Sequence, residues 1–165
     1  MIPTCVRMVL ILSGAMKEHA AENEFNSRVF VHPVQLRWGE CDPAGIIFYP
    51  TYFLWFDAAA WNMFAQVGYH AKRMREERRS MPLVAAGSEF KHPAEQEDSC
   101  EVRSRIARWG GKSFVVAHDV VRVADEKLLA AGTETRVWGR YESGPGTALK
   151  GQLIGSELKD LFRSE

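Results

Sequence analysis

Residues 38–57 read WGECDPAGIIFYPTYFLWFD, an acidic turn followed by an almost wholly apolar segment. Pro43 fixes its own φ and disfavours helical backbone at Asp42, while Gly45 tolerates a positive φ. These residues predict a tight bend that holds the Asp42 carboxylate against the backbone. Tyr49 and Pro50 follow, and proline favours the first position of a helix because it has no N–H to leave unpaired.

The helix predicted to begin at Pro50 ends near Gly68. Its apolar stripe at helical spacing comprises Phe53, Phe56, Ala60, Met63, Phe64 and Val67, and further apolar positions off the stripe are Tyr52, Trp55, Ala59 and Trp61. A helix that is apolar on nearly all sides requires other elements around it. Its first N–H groups, at the positive end of the helix dipole, face back toward the Asp42 turn. A carboxylate beside such donors suits attack on a carbonyl, in which the acid attacks or activates water and the N–H groups stabilise the oxyanion.

The composition argues against some classes of binding partner and indicates the cellular compartment. In 165 residues, 21 basic and 21 acidic side chains cancel, which argues against nucleic acid or an anionic membrane as the main partner. The cysteines Cys5, Cys41 and Cys100 are widely spaced and odd in number, so we expect reduced thiols in a cytoplasmic protein and no metal site. The apolar run at residues 8–12 is too short for a signal peptide, and Met16 is an alternative start.

The remaining pattern predicts one domain rich in strands. We expect a strand over residues 29–38, at an edge because of Pro33, and a solvated helix over residues 70–80 in preference to a phosphate-binding face. Four further strands are predicted over residues 81–92, 99–109, 112–124 and 128–141. The third is apolar on both faces, which indicates a central position or an interface.

The sequence also indicates one turn within the predicted sheet and the point where the sheet ends. Gly110 and Gly111 suit a hairpin turn between the second and third of these strands. Beyond residue 143 we expect a loose tail that ends in a short helix over residues 156–162, capped by Ser156.

The motif at residues 41–50, CDPAGIIFYP, continues with Tyr52 and the triplet Trp55-Phe56-Asp57. It closely resembles the opening motif of the 4-hydroxybenzoyl-CoA thioesterase family, and a weaker resemblance continues through Trp109, Lys112, Ser113, Phe114 and His118. The resemblance implies an α+β hotdog fold, in which a curved antiparallel sheet wraps one long central helix. The expected organisation is a flexible extension over residues 1–28 and a single hotdog domain over residues 29–165.

The resemblance also implies site residues. Asp42 matches the catalytic carboxylate, as nucleophile or general base, and Tyr49 matches the residue whose backbone N–H holds the thioester oxygen. We expect the Tyr49 ring to pack in the core. We interpret Glu40 as an acidic neighbour of Asp42 that adjusts the local charge and is not a second catalytic residue. Cys41 is a rival nucleophile, but the motif contains no histidine to lower its pKa.

Binding residues follow from the same resemblance. Lys112 and Ser113 match positions that contact the CoA portion of the substrate. The two preceding positions are often basic in the family and are glycines here, so Arg108, Arg136 or Arg140 are candidates for gripping the nucleotide. Residues 81–88, including Gly87 and Ser88, match the strand that lines the acyl pocket. We expect His118 to be a structural hydrogen-bonding residue.

The predicted function is therefore hydrolysis of an aromatic, 4-hydroxybenzoyl-CoA-like, or medium acyl-CoA thioester to free acid and CoA. Pro50 favours the members of the family that act on aryl-CoA substrates, since related hotdog thioesterases that act on short aliphatic acyl-CoAs tend to carry histidine at this position. No cofactor is implied, because coenzyme A is part of the substrate. A homodimer at least, and a homotetramer by resemblance, are expected. The alternatives are a thioesterase acting on acyl carrier protein and a non-catalytic acyl-CoA-binding protein.

Overall fold

The computed structural model describes residues 27–164. Of the extension predicted over residues 1–28, only Ser27 and Arg28 fall within the described part, and Cys5 and Met16 lie outside it. Ser27 forms a β-bridge with Arg163, and the Arg28 N–H donates to the Phe162 carbonyl at 2.9 Å. The described chain therefore begins paired to its own C-terminal end.

Helices and strands both contribute to the fold, as the predicted α+β class requires. The helices are α1 (Pro50–Gln66), α2 (Ala71–Glu76) and α3 (Ser156–Asp160), with a 3-10 turn at Trp38–Glu40. The strands are β1 (Phe30–Gln35), β2 (Arg79–Ser80), β3 (Leu83–Phe90), β4 (Ser99–Trp109), β5 (Ser113–Arg122), β6 (Lys127–Val137), β7 (Gly139–Tyr141) and β8 (Leu149–Gly151). The main sheet is antiparallel, in the order β1-β4-β5-β6-β3, and a small sheet has the order β2-β7-β8.

The order of the main sheet confirms several predictions. β5 lies at its centre, β4 has the predicted bounds, and β1, which contains Pro33, is an edge strand. The double glycine forms the turn between β4 and β5, where the Gly110 N–H donates to the Ser113 carbonyl at 2.7 Å. Buried residues alternate with half-buried or exposed ones along most of β4, as expected for a sheet with one wet face.

Helix α1 packs across one face of this sheet. Its buried residues are Thr51, Tyr52, Trp55, Phe56, Ala59, Ala60, Met63 and Phe64. The opposite side is open: Leu54 is 69% exposed, and Asp57 and Ala58 are exposed as well. The prediction that other elements enclose α1 on all sides is therefore wrong for the single chain, because the sheet covers only the stripe at spacings of three and four residues.

The C-terminal part is more ordered than the sequence indicated. The loose tail predicted beyond residue 143 instead forms β8, which pairs with β7, and Ile154, Leu158 and Phe162 are buried in the core. The cap prediction is also wrong, since Gly155 precedes the first turn of α3 and Ser156 is its first helical residue. Strands of two or three residues are too short to show an alternating pattern.

Gly132 on β6 provides a test of how closely α1 packs on the sheet. A Cβ at this position would lie 2.4 Å from Cε2 of the fully buried Phe56 ring. We expect Gly132→Ala to lower the free energy of unfolding by about 1–3 kcal/mol, measured by urea denaturation, because the ring has no space to move into. Gly87→Ala on the neighbouring strand is the control, since no atom lies within 4 Å of that Cβ. Equal losses in the two variants would contradict this account of the packing.

Candidate active site

The tight bend predicted at Asp42 is present and is a three-residue hairpin loop. The Asp42 N–H donates to the Ile46 carbonyl at 2.8 Å, and the Gly45 N–H donates to the Asp42 carbonyl at 2.9 Å. Gly45 has φ +79°, the left-handed conformation that such loops place at their third residue. Cys41 and Ile47 form the bridge below the loop. The backbone therefore fixes the position of Asp42.

The Asp42 carboxylate is half-buried and oriented by its own turn. Oδ1 accepts a hydrogen bond from the Ala44 N–H at 2.8 Å. Oδ2 has no hydrogen-bond partner among residues 27–164. One oxygen thus orients the group, and the other is available to a ligand.

This carboxylate lines a cleft of about 490 Å³. The other lining residues are Trp38, Gly39, Cys41, Pro43, Gly45 and Gln96. The volume is within the range of small-molecule sites, roughly 300–1,000 Å³. Tyr49 does not line this cleft, so the cleft holds only one of the two predicted catalytic residues.

Tyr49 lies immediately before α1, at the other end of the hairpin. Its N–H has no acceptor within the described residues, whereas the Thr51 and Tyr52 N–H groups donate to the Phe48 and Tyr49 carbonyls at 2.9 and 3.2 Å. The oxyanion donor at this helix end is therefore reduced to one free N–H. Cys41 is opposite Ile47, so Tyr49 lies two residues beyond that bridge, on the arm of the hairpin that leads into α1.

The expectation for the Tyr49 ring is wrong. The residue is 56% exposed, and its ring contacts Phe48 and Phe90, with centroids 5.4 and 6.4 Å away. Phe48 and Phe90 are themselves about half exposed. The Tyr49 ring therefore packs among partly exposed aromatic rings at the surface and not in the core.

The two groups beside Asp42 have structural partners. Glu40 Oε2 accepts from the Arg37 N–H at 2.8 Å and so caps the 3-10 turn. The partner of Cys41 Sγ is the Arg37 carbonyl at 3.6 Å, which cannot take its proton. Cys100 is buried, and burial raises the pKa of its thiol to about 11. Neither thiol lies beside a base that would activate it.

The residues predicted to bind CoA lie at the far end of the sheet. Lys112 lies in the β4–β5 turn and Ser113 is the first residue of β5, whereas the Asp42 cleft is beside Gln96, which precedes β4. The length of β4 separates them by roughly 30 Å. A single chain therefore does not bring Lys112 and Ser113 to Asp42.

Of the three arginine candidates, Arg108 and Arg140 are exposed at that same end. Arg136 is only 1% exposed, and its guanidinium donates to Glu134, Asp57 and the Met81 carbonyl. The suggestion that Arg136 grips a nucleotide is therefore wrong, because the guanidinium is buried and each of its three nitrogens is hydrogen-bonded to a protein oxygen.

Gly87 and Ser88 lie on β3, an edge strand. Ser88 Oγ donates to the Ala131 carbonyl at 3.3 Å, and Ser88 is opposite Gly132, which faces α1. Successive residues of a strand point to opposite faces, so Gly87 belongs to the other face. These two neighbours therefore do not form one wall of a pocket.

The structure reveals a buried polar network below α1 that the sequence analysis did not foresee. His118 Nδ1 is 2.8 Å from Ser104 Oγ, and His118 Nε2 is 3.3 Å from Glu134 Oε2. The His118 ring stacks on Phe56 with centroids 4.8 Å apart, which agrees with the structural role expected of it. Arg136 continues the network from Glu134 to Asp57 on α1, at 2.5 Å. The only signal in the sequence was an acid and an arginine at inward-facing positions of one strand.

The order serine, histidine, acid resembles a hydrolase triad, but none of these side chains is accessible. Ser104, His118 and Glu134 are each at most 1% exposed, so no substrate reaches Ser104. Burial by itself raises the pKa of Glu134, but hydrogen bonds from His118 and Arg136 outweigh it and lower that pKa from its usual value. Glu134 is thus an ionised carboxylate that joins α1 to the sheet.

Comparison with known proteins identifies the family. The model of the thioesterase-like superfamily matches residues 36–159. The chain belongs to the thioesterase-like superfamily. It is 34% identical over 110 residues to the 4-hydroxybenzoyl-CoA thioesterase of Pseudomonas sp. strain CBS-3, a match that covers 63% of this chain and 78% of that protein. The predicted class, a thioester hydrolase, is confirmed.

Solved thioesterase structures agree with this assignment. An aspartate-to-asparagine variant of 4-hydroxybenzoyl-CoA thioesterase in complex with 4-hydroxybenzoyl-CoA has a TM-score of 0.74 and 28% identity, covering 82% of this chain and 99% of that one. A gentisyl-CoA thioesterase has a TM-score of 0.69 and 28% identity, with 79% and 99% covered. The predicted hotdog fold is confirmed.

No helix within residues 27–164 has the length and apolar character needed to cross a bilayer. The same residues contain no group of three or more His, Cys, Asp and Glu side chains that would hold a metal ion.

The buried network of this thioesterase predicts a pH dependence of stability. Because the folded pKa of Glu134 is lowered, its stabilising contribution is complete above the unfolded pKa of about 4.3 and is lost as the pH falls through the folded value. We expect Glu134→Gln to cost roughly 3 kcal/mol or more at pH 7, because it leaves Arg136 underpaired, and to remove this acid-dependent loss. Urea midpoints from pH 7 to pH 3 measure both effects.

Glu76→Gln is the matched control for that variant. Glu76 is exposed, and its ion pair within residues 27–164 is with Lys72 at 4.0 Å, so its removal changes stability by at most about 0.5 kcal/mol. If the Glu134 variant kept the full stability of the wild type at pH 7, the network would not hold α1 in place.

Proposed function

We propose that this thioesterase hydrolyses an aromatic or medium acyl-CoA thioester to the free acid and CoA, with Asp42 as the reacting carboxylate. The observation that carries the proposal is the geometry of Asp42: a turn orients one oxygen, and the other is unpaired beside an open cleft. The relatives named above, which act on 4-hydroxybenzoyl-CoA and gentisyl-CoA, support an aromatic acyl group. The free thiols of Cys41 and Cys100 support a cytoplasmic location.

Two routes are consistent with a free carboxylate oxygen. In the first, Asp42 attacks the thioester carbon, the CoA thiolate leaves, and water hydrolyses the resulting acyl-aspartyl anhydride. In the second, Asp42 takes a proton from water, which attacks the same carbon before the thiolate leaves. Both routes place negative charge on the carbonyl oxygen, and the unpaired N–H of Tyr49 is the proposed donor to it.

We also propose that the complete site requires a second copy of the chain. β3 is an edge strand of eight residues, with Leu83 and Val84 45% and 58% exposed, and the backbone of such a strand is available for pairing. The other edge strand, β1, contains Pro33, which lacks an N–H to donate. Pairing of β3 with the partner's β3 is therefore favoured over pairing through β1.

The direction of β3 supports this arrangement. Its first residue, Leu83, and Phe114 on β5 are both opposite Arg136 on β6, so Leu83 lies at the end of the sheet that carries Lys112. Its last residue, Phe90, contacts Tyr49. In an antiparallel pair of β3 strands, the first residue of one lies near the last residue of the other. The partner's Lys112 and Ser113, with the exposed Arg108 and Arg140, would then face the same end as Tyr49 and bind the CoA phosphates.

β3 also carries the proposed acyl-pocket residues. Gly87 and Ser88 precede Phe90, whose ring contacts both Tyr49 and Tyr52. We propose that Ser88, which lies on the face of β3 toward α1, contacts the substrate on the Tyr49 side of the hairpin, where a paired β3 would cover it, and that Gly87 contributes its backbone. The homotetramer implied by the resemblance would add a second interface elsewhere.

Asp42→Asn tests the chemistry. We expect it to lower kcat for 4-hydroxybenzoyl-CoA by roughly 1,000-fold or more while leaving binding of the substrate nearly unchanged, because the amide neither attacks nor takes a proton. Thiol release measures kcat and calorimetry measures binding. Tyr49→Phe is expected to keep activity, since the proposed donor is the backbone N–H, and Tyr49→Pro to lose it.

Three outcomes of that experiment separate the alternatives. Full activity in Asp42→Asn together with loss in Cys41→Ala would assign the nucleophile to the thiol. Binding of CoA esters without turnover of any thioester would indicate a non-catalytic acyl-CoA-binding protein. Turnover of acyl carrier protein thioesters alone would change the proposed carrier.

Val84→Lys tests the second copy. A charge at the paired edge cannot be buried without a partner, so we expect this variant to be monomeric in sedimentation experiments and to lose activity. Val31→Lys on β1 is the matched control, since Val31 is 43% exposed on the opposite edge, and it should sediment and react like the wild type. A Val84 variant that stayed dimeric with normal activity would contradict pairing through β3.

A further inference from the structure

The C-terminal segment, residues 149–162, packs against the turn that carries Lys112. This segment consists of β8, α3 and the residues that join and follow them. The Ile154 N–H donates to the Gly111 carbonyl at 2.9 Å, and the Ile154 side chain is buried in the core. A backbone hydrogen bond therefore ties the segment directly to the residue that precedes Lys112.

A second connection runs through Trp138, the residue between β6 and β7. The Gln152 N–H donates to the Trp138 carbonyl at 2.7 Å, and the Trp138 N–H donates to the Lys112 carbonyl at 2.8 Å. Trp138 is buried, and its ring stacks on Phe64 of α1. The main chain of Lys112 is thus bonded to a core residue that the C-terminal segment also holds.

Aromatic residues on both sides of the turn belong to the same packed region. Trp109 precedes the double glycine, and its ring centroid is 5.6 Å from that of Phe114 on β5 and 5.5 Å from that of Phe162. Phe162, in the C-terminal segment, is fully buried. Because two consecutive glycines leave a chain unusually free to move, the turn depends on these contacts and hydrogen bonds for a fixed shape.

Gly151 on β8 determines where the Lys112 side chain lies. A Cβ at Gly151 would be 3.7 Å from Lys112 Cβ, 3.5 Å from Lys112 Cδ and 3.3 Å from Val137 Cγ1. The aliphatic part of Lys112 therefore runs across the space that a branched side chain at position 151 would occupy. Contact along this stem removes part of the rotamer freedom that an exposed lysine otherwise keeps.

The ammonium group of Lys112 remains available to a ligand. Lys112 is exposed, and its Nζ has no ion-pair or hydrogen-bond partner within residues 27–164. Lys150, also on β8, differs in this respect because it pairs with Glu142. A cation with a restrained stem and no protein partner suits a phosphate, since it loses little side-chain entropy when it binds.

We propose that the C-terminal segment positions Lys112 for the phosphates of CoA, and that Gly151 is a positioning residue because it leaves the space that the Lys112 stem occupies. This inference rests on the proposed binding of CoA through Lys112 and adds the part of the chain that aims the lysine. It places the effect of Gly151 on substrate binding and not on the reaction at Asp42, which lies at the other end of the sheet.

The test compares Gly151→Val, Lys112→Ala and the double variant on two thioesters, 4-hydroxybenzoyl-CoA and 4-hydroxybenzoyl-pantetheine, which lacks the phosphates and the nucleotide. We expect each single variant to raise KM for the CoA thioester by about tenfold with kcat nearly unchanged, because a charge-assisted contact is lost or misplaced. The double variant should match Lys112→Ala, since Gly151 acts through the lysine. KM for the pantetheine thioester should be the same in all four proteins.

Gly151→Ala is the matched control. Its methyl group meets the Lys112 stem at ordinary contact distances and carries the same close approach to Val137, so KM should stay within about twofold of the wild type. Thermal unfolding keeps the inference testable if Gly151→Val does not fold by itself. Lys112→Ala should then raise the unfolding temperature of Gly151→Val, because the stem is the obstacle, and failure to do so would overturn the inference.

The outcomes separate the inference from the function on which it rests. An unchanged KM in Lys112→Ala would overturn the proposed CoA contact and this inference with it. A raised KM in Lys112→Ala with no change in Gly151→Val, or additive effects in the double variant, would overturn the positioning role alone. So would an equal rise for the pantetheine thioester. Calorimetric binding of CoA itself provides the same comparison if no thioester is turned over.

Discussion

Arg136 places a positive charge in the protein interior, and the position of α1 depends on how that charge is satisfied. An unpaired buried guanidinium costs several kcal/mol, so its oxygen partners have little freedom to move. One partner, Glu134, is on the same strand and links to His118 at the centre of the sheet, and another, Asp57, is on α1. The network therefore joins the helix to the sheet at a defined point, where the missing side chain of Gly132 also admits the Phe56 ring.

This anchoring has consequences at the end of α1. The helix begins directly after the Asp42 hairpin, so fixing α1 on the sheet also fixes where the Tyr49 N–H and the Asp42 turn project. In one chain, the Asp42 carboxylate and its cleft are at one end of the sheet, and the basic β4–β5 turn is at the other. The edge strand β3 runs between these two ends, and this direction is the basis of the proposed pairing with a second copy.

Local chemistry made several features predictable from the sequence. Proline and glycine dictate the bend at Asp42, Pro50 dictates the start of α1, and alternation and the double glycine dictate β4 and its turn, because each depends on residues only a few positions apart. The motif at residues 41–50 carried the family and the enzyme class. β8 was missed because it is too short to show a pattern and forms only when β7 pairs with it.

The sequence by itself determined the acidic hairpin, the helix that follows it, the hotdog class and the thioester chemistry, since all of these are encoded in contiguous residues. Only the tertiary structure decided which side of α1 is buried, that Arg136 is internal and not a phosphate ligand, that the Tyr49 ring is exposed, and that Lys112 is remote from Asp42 in one chain. The physical reason is that burial and charge pairing depend on which strands meet across the sheet, and residues such as Asp57 and Arg136, far apart in sequence, become neighbours only after that pairing is complete.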